Sequence, residues 1–219
     1  MKRSKIILFF SSLILLSCTK KIDKDFISSN DIFNDITNLK KYDNVQKINA
    51  DTLIKIKASN KEYIIEGYIN KILNKKTGWW TIHDINKINK VRLQYIHFEN
   101  EENINQYIFY KNNFIDSVRS KFYSLKKNGN ILNYYFHTPK SKESVLSANL
   151  YYIILDENNN ILKESKIENK INKSHYYLFT LETPIAKKVM IKSLFSETLN
   201  VNDKSLGTNE ILTEDLVVL

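Results

Sequence analysis

The sequence is poor in the residues that usually punctuate a chain. It holds two prolines and four glycines in 219 residues. Turns must therefore rely on Asn and Asp, which tolerate left-handed backbone and hydrogen-bond to their own main chain. Four glycines cannot build several glycine-dependent loops, and no Gly-x-Ser-x-Gly elbow, phosphate loop or dinucleotide fingerprint is present. The four histidines, His83, His97, His137 and His175, show neither His-x-His nor His-Glu-x-x-His spacing. No metal ligand set is legible among them, and they read as surface or structural imidazoles. The carboxylate pairs Glu101-Glu102 and Asp156-Glu157 fall in turns flanked by Asn. The run Asp156-Glu157-Asn158-Asn159-Asn160 lacks the spacing of a calcium loop. No catalytic residue, no metal and no cofactor is expected. A single cysteine, Cys18, excludes an intrachain disulfide, so the fold must stand on its apolar core. No apolar run reaches the roughly 20 residues that a spanning helix needs.

Charge is also unspecialised. The chain carries 33 Lys+Arg against 24 Asp+Glu. The lysines are scattered among acids and asparagines rather than gathered on one stripe, so nucleic acid is not an expected partner. What is abundant is Ile, with Tyr 13 and Phe 11. These residue types favour strands.

The N-terminus has a plan of its own. Lys2, Arg3 and Lys5 precede Ile6 to Leu16, which is apolar apart from Ser11 and Ser12. A basic start, a short apolar segment and a small residue before a cut form an export signal. Leu15-Leu16-Ser17-Cys18 resembles the lipobox of bacterial lipoproteins, Leu-x-(Ala/Ser/Gly)-Cys. That resemblance implies a signal at residues 1–17, cleavage after Ser17 and acylation of Cys18 with palmitate-type chains. It implies a Bacteroidota-type lipoprotein of the cell envelope, held at the outer membrane, whose first partner is membrane lipid. Removing the leader leaves 30 basic and 24 acidic residues, a net charge near +6.

Residues 18–50 read as a polar tether followed by a short helix. Asp31 is placed to cap it, with Ile32, Phe33, Ile36 and Leu39 on one side. Strand patterns begin at Thr52. Over residues 51–127 they run through Leu53–Ile56, Tyr63–Ile69, Trp79–His83, Val91–Phe98, Gln106–Lys111 and Phe114–Tyr123. Asn112-Asn113 suits a type I′ hairpin turn. Gly67-Tyr68 and Gly78-Trp79-Trp80-Thr81-Ile82-His83-Asp84 resemble degenerate MORN-type repeats, each of which forms a β-hairpin. His83 stands where Tyr is usual and Lys87 where the turn glycine is usual. The resemblance covers residues 61 to 123.

Lys126-Lys127-Asn128-Gly129-Asn130 reads as a turn and a domain boundary. Residues 128–219 then offer strands at Ile131–His137, Ser147–Leu155, Ile161–Lys166, Tyr176–Leu181, Lys188–Phe195 and Ile211–Leu219. Short strands joined by polar turns, without helices between them, predict a β-sandwich. Leu150, Tyr152 and Ile154 are assigned to one face, and Val189, Ile191 and Phe195 to another. The fold class expected is all-β: an N-terminal MORN-like hairpin region, then a C-terminal sandwich.

Two function classes follow. The first is a non-catalytic binding or structural module of the envelope, presenting sheet surfaces to a protein or glycan. The second is an envelope hydrolase whose residues converge only in three dimensions. Trp79 and Trp80 are the candidate binding residues. Adjacent strand residues face opposite ways, and Trp80 shares parity with Ile82. Trp80 is expected inside and Trp79 outside. The pairs Tyr134-Tyr135, Tyr151-Tyr152 and Tyr176-Tyr177 read alike, one ring in the core and one on the wet face.

Overall fold

The computed structural model describes residues 29–98, 101–169, 176–184, 188–202 and 205–218. The leader, the tether and Cys18 lie outside the described residues. The chain divides into two units, Met1–Thr37 and Asn38–Leu219. In the first, helix α1 spans Ser29–Ile36. Asp31 therefore sits in the first turn instead of capping it, where a carboxylate still suits the positive end of the helix. The helix ends at Thr37, whose N–H and hydroxyl both donate to Phe33 O, at 2.9 and 2.8 Å. Leu39 is not part of it. It opens a separate 3-10 turn, Leu39–Lys41, that starts the second unit.

The second unit is all-β. Its first half is an antiparallel meander of seven strands, each paired with the next in sequence. These are β1 Asn44–Ala50, β2 Leu53–Ser59, β3 Tyr63–Asn70, β4 Lys75–Asp84, β5 Asn89–Phe98, β6 Glu101–Lys111 and β7 Phe114–Ile115. Strand β1 was not expected; it lies inside the stretch read as tether and helix. All seven of its residues are exposed, so it carries no periodic apolar signal. The run from Phe114 to Tyr123 is not one strand either. Strand β7 stops at Ile115, and a turn closed by Asp116 and Arg119 follows. The Asn112-Asn113 hairpin is present, with both φ angles positive at 50° and 66° and Lys111 paired with Phe114. Asp51, Asn74 and Asn159 hold further left-handed positions, as the shortage of glycine demands, and Lys87 does so at φ 56°.

The centre of the meander is one glycine and one tryptophan. Glu66 pairs with Thr81 and Tyr68 with Thr77, so Gly67 faces the three residues Gly78, Trp79 and Trp80. Gly78 accommodates the bulge with φ at 63°, which costs glycine nothing. The Trp80 ring then lies on Gly67 itself: a Cβ there would stand 2.1 Å from Trp80 Cδ2. The indole N–H donates to Tyr68 O at 3.1 Å, and the ring meets Tyr95 edge-on at 6.0 Å. Ile56, Ile65, Trp80 and Leu93 are fully buried.

The second half is a β-sandwich. Its strands are β8 Phe122–Asn128, β9 Ile131–His137, β10 Ser144–Leu155, β11 Ile161–Asn169, β12 Tyr177–Glu182, β13 Lys188–Asn202 and β14 Ser205–Val218. One sheet has the order β11-β10-β13-β14 and the other β12-β9-β8. The chain crosses between sheets after β9, β11 and β12, which is a Greek-key pattern of immunoglobulin-like sandwiches. The core contains Leu132, Tyr134 and Phe136 from the small sheet and Leu150, Ile154 and Phe195 from the large one. Phe136 stacks on Phe195 at 4.5 Å.

Two expectations change here. Leu150 pairs with Phe195 and Ile154 with Ile191, so the two sets assigned to different faces share a single face of one sheet. The opposing layer comes from β9 and β12. Gly129, at φ 61°, turns the β8–β9 hairpin, in which Asn128 pairs with Ile131. A division at residues 127/128 therefore falls inside a hairpin, and the sandwich takes its first strand from Phe122.

Candidate functional site

The outer face of the large sheet breaks the usual alternation of apolar inside and polar outside. Tyr151 pairs with Leu194 and Leu194 with Leu212, which makes one continuous cross-strand row. All three point away from the core. Tyr151 is 44% exposed and Leu212 39%. The next row is Glu164, Ile153, Lys192 and Glu214. Together these rows floor a groove of about 790 Å³. Gln94, Ile96, His97 and Asn105 of the meander form its other wall. A smaller cavity of about 350 Å³ continues from it past Ile96, Asn105, Leu194 and Leu212, towards Phe98 and Lys121.

The wall is held by a bulge. Gln94 pairs with Gln106 and Tyr95 with Ile104, so Asn105 is the extra residue of β6. Its amide turns onto the edge of β14. Nδ2 donates to Leu212 O at 2.8 Å, and Oδ1 accepts from Leu212 N–H at 2.8 Å. One side chain thus supplies the two bonds that a neighbouring strand would make. Gln94 Oε1 accepts from both Asn105 Nδ2 (2.8 Å) and Gln106 Nε2 (2.7 Å). Gln106 Oε1 accepts from Tyr123 N–H at 3.0 Å. Asn105 and Gln106 are almost fully buried, so this network must be satisfied to be tolerated.

The same outer edge of β14 is covered elsewhere by cations. Lys121 Nζ donates to Glu210 O at 3.1 Å, and Lys127 Nζ donates to Val218 O. Burial pulls the Lys121 ammonium down to about 8, against a smaller opposing pull from the Glu210 carboxylate. On the side facing the sandwich interior, Asp215 accepts Tyr123 OH at 2.9 Å and Tyr134 OH at 3.0 Å. Burial, then the Asp215 charge, pushes both phenols well above the ordinary tyrosine range.

The groove rim alternates in sign. Lys192 pairs with Glu214 at 3.6 Å. Lys166 pairs with Glu168 and lies over the Tyr151 ring at 5.3 Å. His97 has Nε2 at 2.9 Å from Lys76 O. Lys76 in turn meets Glu102 at 2.9 Å; Glu101 and Glu102 open strand β6, paired with Phe98 and His97, and do not fall in a turn as the sequence suggested.

Of the residues singled out in sequence, Trp80 is buried completely and Trp79 is half-buried. Trp79 carries the Arg92 guanidinium over its ring at 4.5 Å. It pairs with Gln94 across the ladder and so stands beside the groove without lining it. Cys18 and His175 lie outside the described residues. His83 is on β4 with Nδ1 unpartnered; burial and then Lys90 and Lys87 lower its pKa. His137 stacks on Phe122 at 4.3 Å. Among the described residues, His83, His97 and His137 are not gathered into one site. Among the described residues, no group of three or more His, Cys, Asp or Glu is arranged to hold a metal. Asp156 closes its own hairpin loop, accepting from Asn160 Nδ2 and from Asn158 and Asn160 N–H, each at 2.8 Å.

Sequence reasoning missed Leu194, Leu212, Gln94 and Asn105. A signal existed for Leu212: it is out of phase with Ile211, Thr213 and Val217, the inward positions of β14. The Tyr151-Tyr152 split was legible, since Tyr152 is buried and Tyr151 is not.

No family model matches the chain, and no curated protein matches it. The crystal structure of a DUF3823 family protein from Bacteroides ovatus is similar at a TM-score of 0.28 and 12% identity. The alignment covers 80% of this chain and 96% of that one. A likeness at that level carries no functional meaning.

Proposed function

We propose that this chain is a non-catalytic binding module of the bacterial cell envelope, anchored by lipid on Cys18, which holds a glycan or an extended peptide in the groove beside β14. The observation that carries this reading is the apolar row Tyr151–Leu194–Leu212 on a sheet face that should be polar. An exposed ring beside aliphatic side chains, with amides and paired charges at the rim, is the general make-up of a ligand cleft. A sugar face stacks on such a ring, and a peptide in extended form follows such a row. The alternative of an envelope hydrolase needs a carboxylate pair or a histidine–carboxylate pair poised in the cleft. In the groove, His97 sits against a backbone carbonyl and Glu214 against Lys192, and Ile153 and Lys192 separate Glu164 from Glu214 along the row, which favours binding.

The Bacteroidota-type lipoprotein reading rests on Leu15-Leu16-Ser17-Cys18, and the MORN-like reading on the hairpins between residues 61 and 123. Stable anchoring takes more than one acyl chain, at about 0.8 kcal/mol per buried methylene, and a lipoprotein cysteine supplies that. Cys18→Ala should leave a soluble or uncleaved species. A cleaved variant that still fractionates with membranes after a salt wash contradicts lipid anchoring. The groove is tested by screening envelope oligosaccharides and extended peptides against wild type and Tyr151→Ala. Binding lost in the variant supports the reading; turnover of a bound glycan or peptide favours the hydrolase.

A further inference from the structure

One end of the meander exposes large apolar side chains from two adjoining hairpins. Ile85 and Ile88 in the β4–β5 turn are 48% and 54% exposed, and Phe114 and Ile115 after the β6–β7 turn 80% and 49%. The turns touch: Asn112 N–H donates to Ile88 O at 3.4 Å, and Asn89 pairs with Lys111. Phe114 and Ile115 are neighbours on a strand and so face opposite ways, yet both are exposed. Single exposed apolar residues are ordinary, whereas a contiguous group marks a contact surface.

The fold does not need these side chains to shape the turns. Asp84 does that, accepting from Ile88 N–H at 2.8 Å, Asn89 N–H at 3.2 Å and Asn89 Nδ2 at 2.9 Å. Asp116 accepts from Arg119 Nε at 2.7 Å. Exposed cations ring the apolar group: Lys61, Lys87 and Lys111, with Lys40 and Lys41 at the same end. The carboxylates at this end are Asp43, Glu62, Asp84 and Asp116; Asp116 is offset by Arg119, and the five lysines outnumber the other three.

We propose that this end of the meander is a membrane-contacting tip. It places Ile85, Ile88, Phe114 and Ile115 at the acyl boundary of an anionic bilayer while Lys61, Lys87 and Lys111 meet lipid phosphates. Apolar burial plus attraction to anionic headgroups is how interfacial contacts form. The path of the chain agrees. The second unit begins at this end, where Asn60 Nδ2 donates to Lys41 O at 3.0 Å. Cys18 lies only twenty residues before Asn38. The chain thus enters the second unit at the end that carries the tip; the tip's own binding does not depend on the lipid-anchor reading. Among the described residues the opposite end also exposes apolar side chains, Ile72 at 84%, Leu73 at 39% and Phe98 at 59%, so the vesicle test compares the two ends directly.

The test uses the chain from residue 18 onward with Cys18→Ala, which keeps every described residue and removes both leader and lipid. It is sedimented with vesicles of phosphatidylethanolamine and phosphatidylglycerol, and with vesicles of phosphatidylcholine alone. The expected result is binding to the anionic vesicles that weakens with salt. Phe114→Ser with Ile115→Ser should reduce it about tenfold, and Lys87→Gln with Lys111→Gln should reduce it about tenfold while flattening the salt dependence. Ile72→Ser should leave it unchanged. Failure of the wild type to bind anionic vesicles overturns the proposal. Equal binding by the tip variants and wild type does so too. So does a dimer, seen by sedimentation velocity without vesicles and broken by the same substitutions, since the tip would then be covered by a second copy.

Discussion

The two halves of the second unit solve the same problem differently. In the meander every strand pairs with its neighbour in sequence, and the core hangs on close approach of one indole to one glycine. In the sandwich the decisive pairings join distant segments, β9 with β12 and β10 with β13, and the core is a stack of interdigitating rings. Along the free edge of β14, side chains stand in for a strand: Asn105 of the meander and Lys121 at the junction bond to it, and Lys127 of β8 does so within the sandwich. Covering an edge in this way also protects it from pairing with another chain. The difference teaches where each half is fragile. The meander should fail at a point, the sandwich should tolerate single losses better, and the joint should fail when its buried amides lose a partner.

The largest effect should come from the meander. Trp80→Ala empties a fully buried aromatic site and should cost about 3–5 kcal/mol in denaturant melts. Gly67→Ala drives a methyl into the same ring and should cost about 1–3 kcal/mol. Small losses at both would remove the claim that one contact centres this sheet.

The joint comes next. Asn105→Ala leaves the N–H and C=O of Leu212 without their partner and should cost about 1–3 kcal/mol. Amide hydrogen exchange should quicken at Leu212 and stay unchanged at Leu132, which is in the sandwich core. Uniform quickening would mean that the halves do not open separately.

Lys121 supplies a pH test of the same joint. Its folded pKa, about 8, is below the unfolded value, so between the two the unfolded chain holds the extra proton. Stability from this group should therefore rise with pH from about 8 up to the unfolded lysine pKa. Lys121→Met should flatten that rise and be relatively most stabilising below pH 8. An unchanged profile would show that the ammonium is solvated. From the unfolded tyrosine pKa upward, at about pH 10, the raised phenols of Tyr123 and Tyr134 act the other way: the unfolded chain's tyrosines ionise first, and stability should fall.

The smallest effect is expected at Trp79, which lies half-buried under Arg92. Trp79→Ala should stay within about 1 kcal/mol, the scale of an exposed cation–π pair. A loss like that of Trp80 would show that both rings are packed.

What was legible in the sequence was local. The alternation of Val91, Leu93 and Tyr95, the Asn112-Asn113 turn, the Asp156–Asn160 loop and the parity of Trp79 and Trp80 each follow from a few adjacent residues. What was hidden was non-local or unpatterned. Strand β1 has no buried residue to mark it. That Leu150 and Phe195 share a face depends on which strands pair across the crossovers, and apolar parity within one strand carries no such information. The groove was hidden for the same reason. Its floor is a row across β10, β13 and β14, and its wall depends on a one-residue bulge at Asn105 that no composition rule marks.

On the proposed function, the outward row Tyr151–Leu194–Leu212 is kept apolar for a ligand and not for the fold. The measurement that tests it most directly is Tyr151→Ala, followed in parallel by denaturant melt and by titration of whichever oligosaccharide or peptide binds the wild type. The account predicts a stability change within about 0.5 kcal/mol and affinity weakened tenfold or more, by about 1.4 kcal/mol. A stability loss above about 2 kcal/mol with affinity unchanged would contradict it, and would make the row part of the joint between the two sheets.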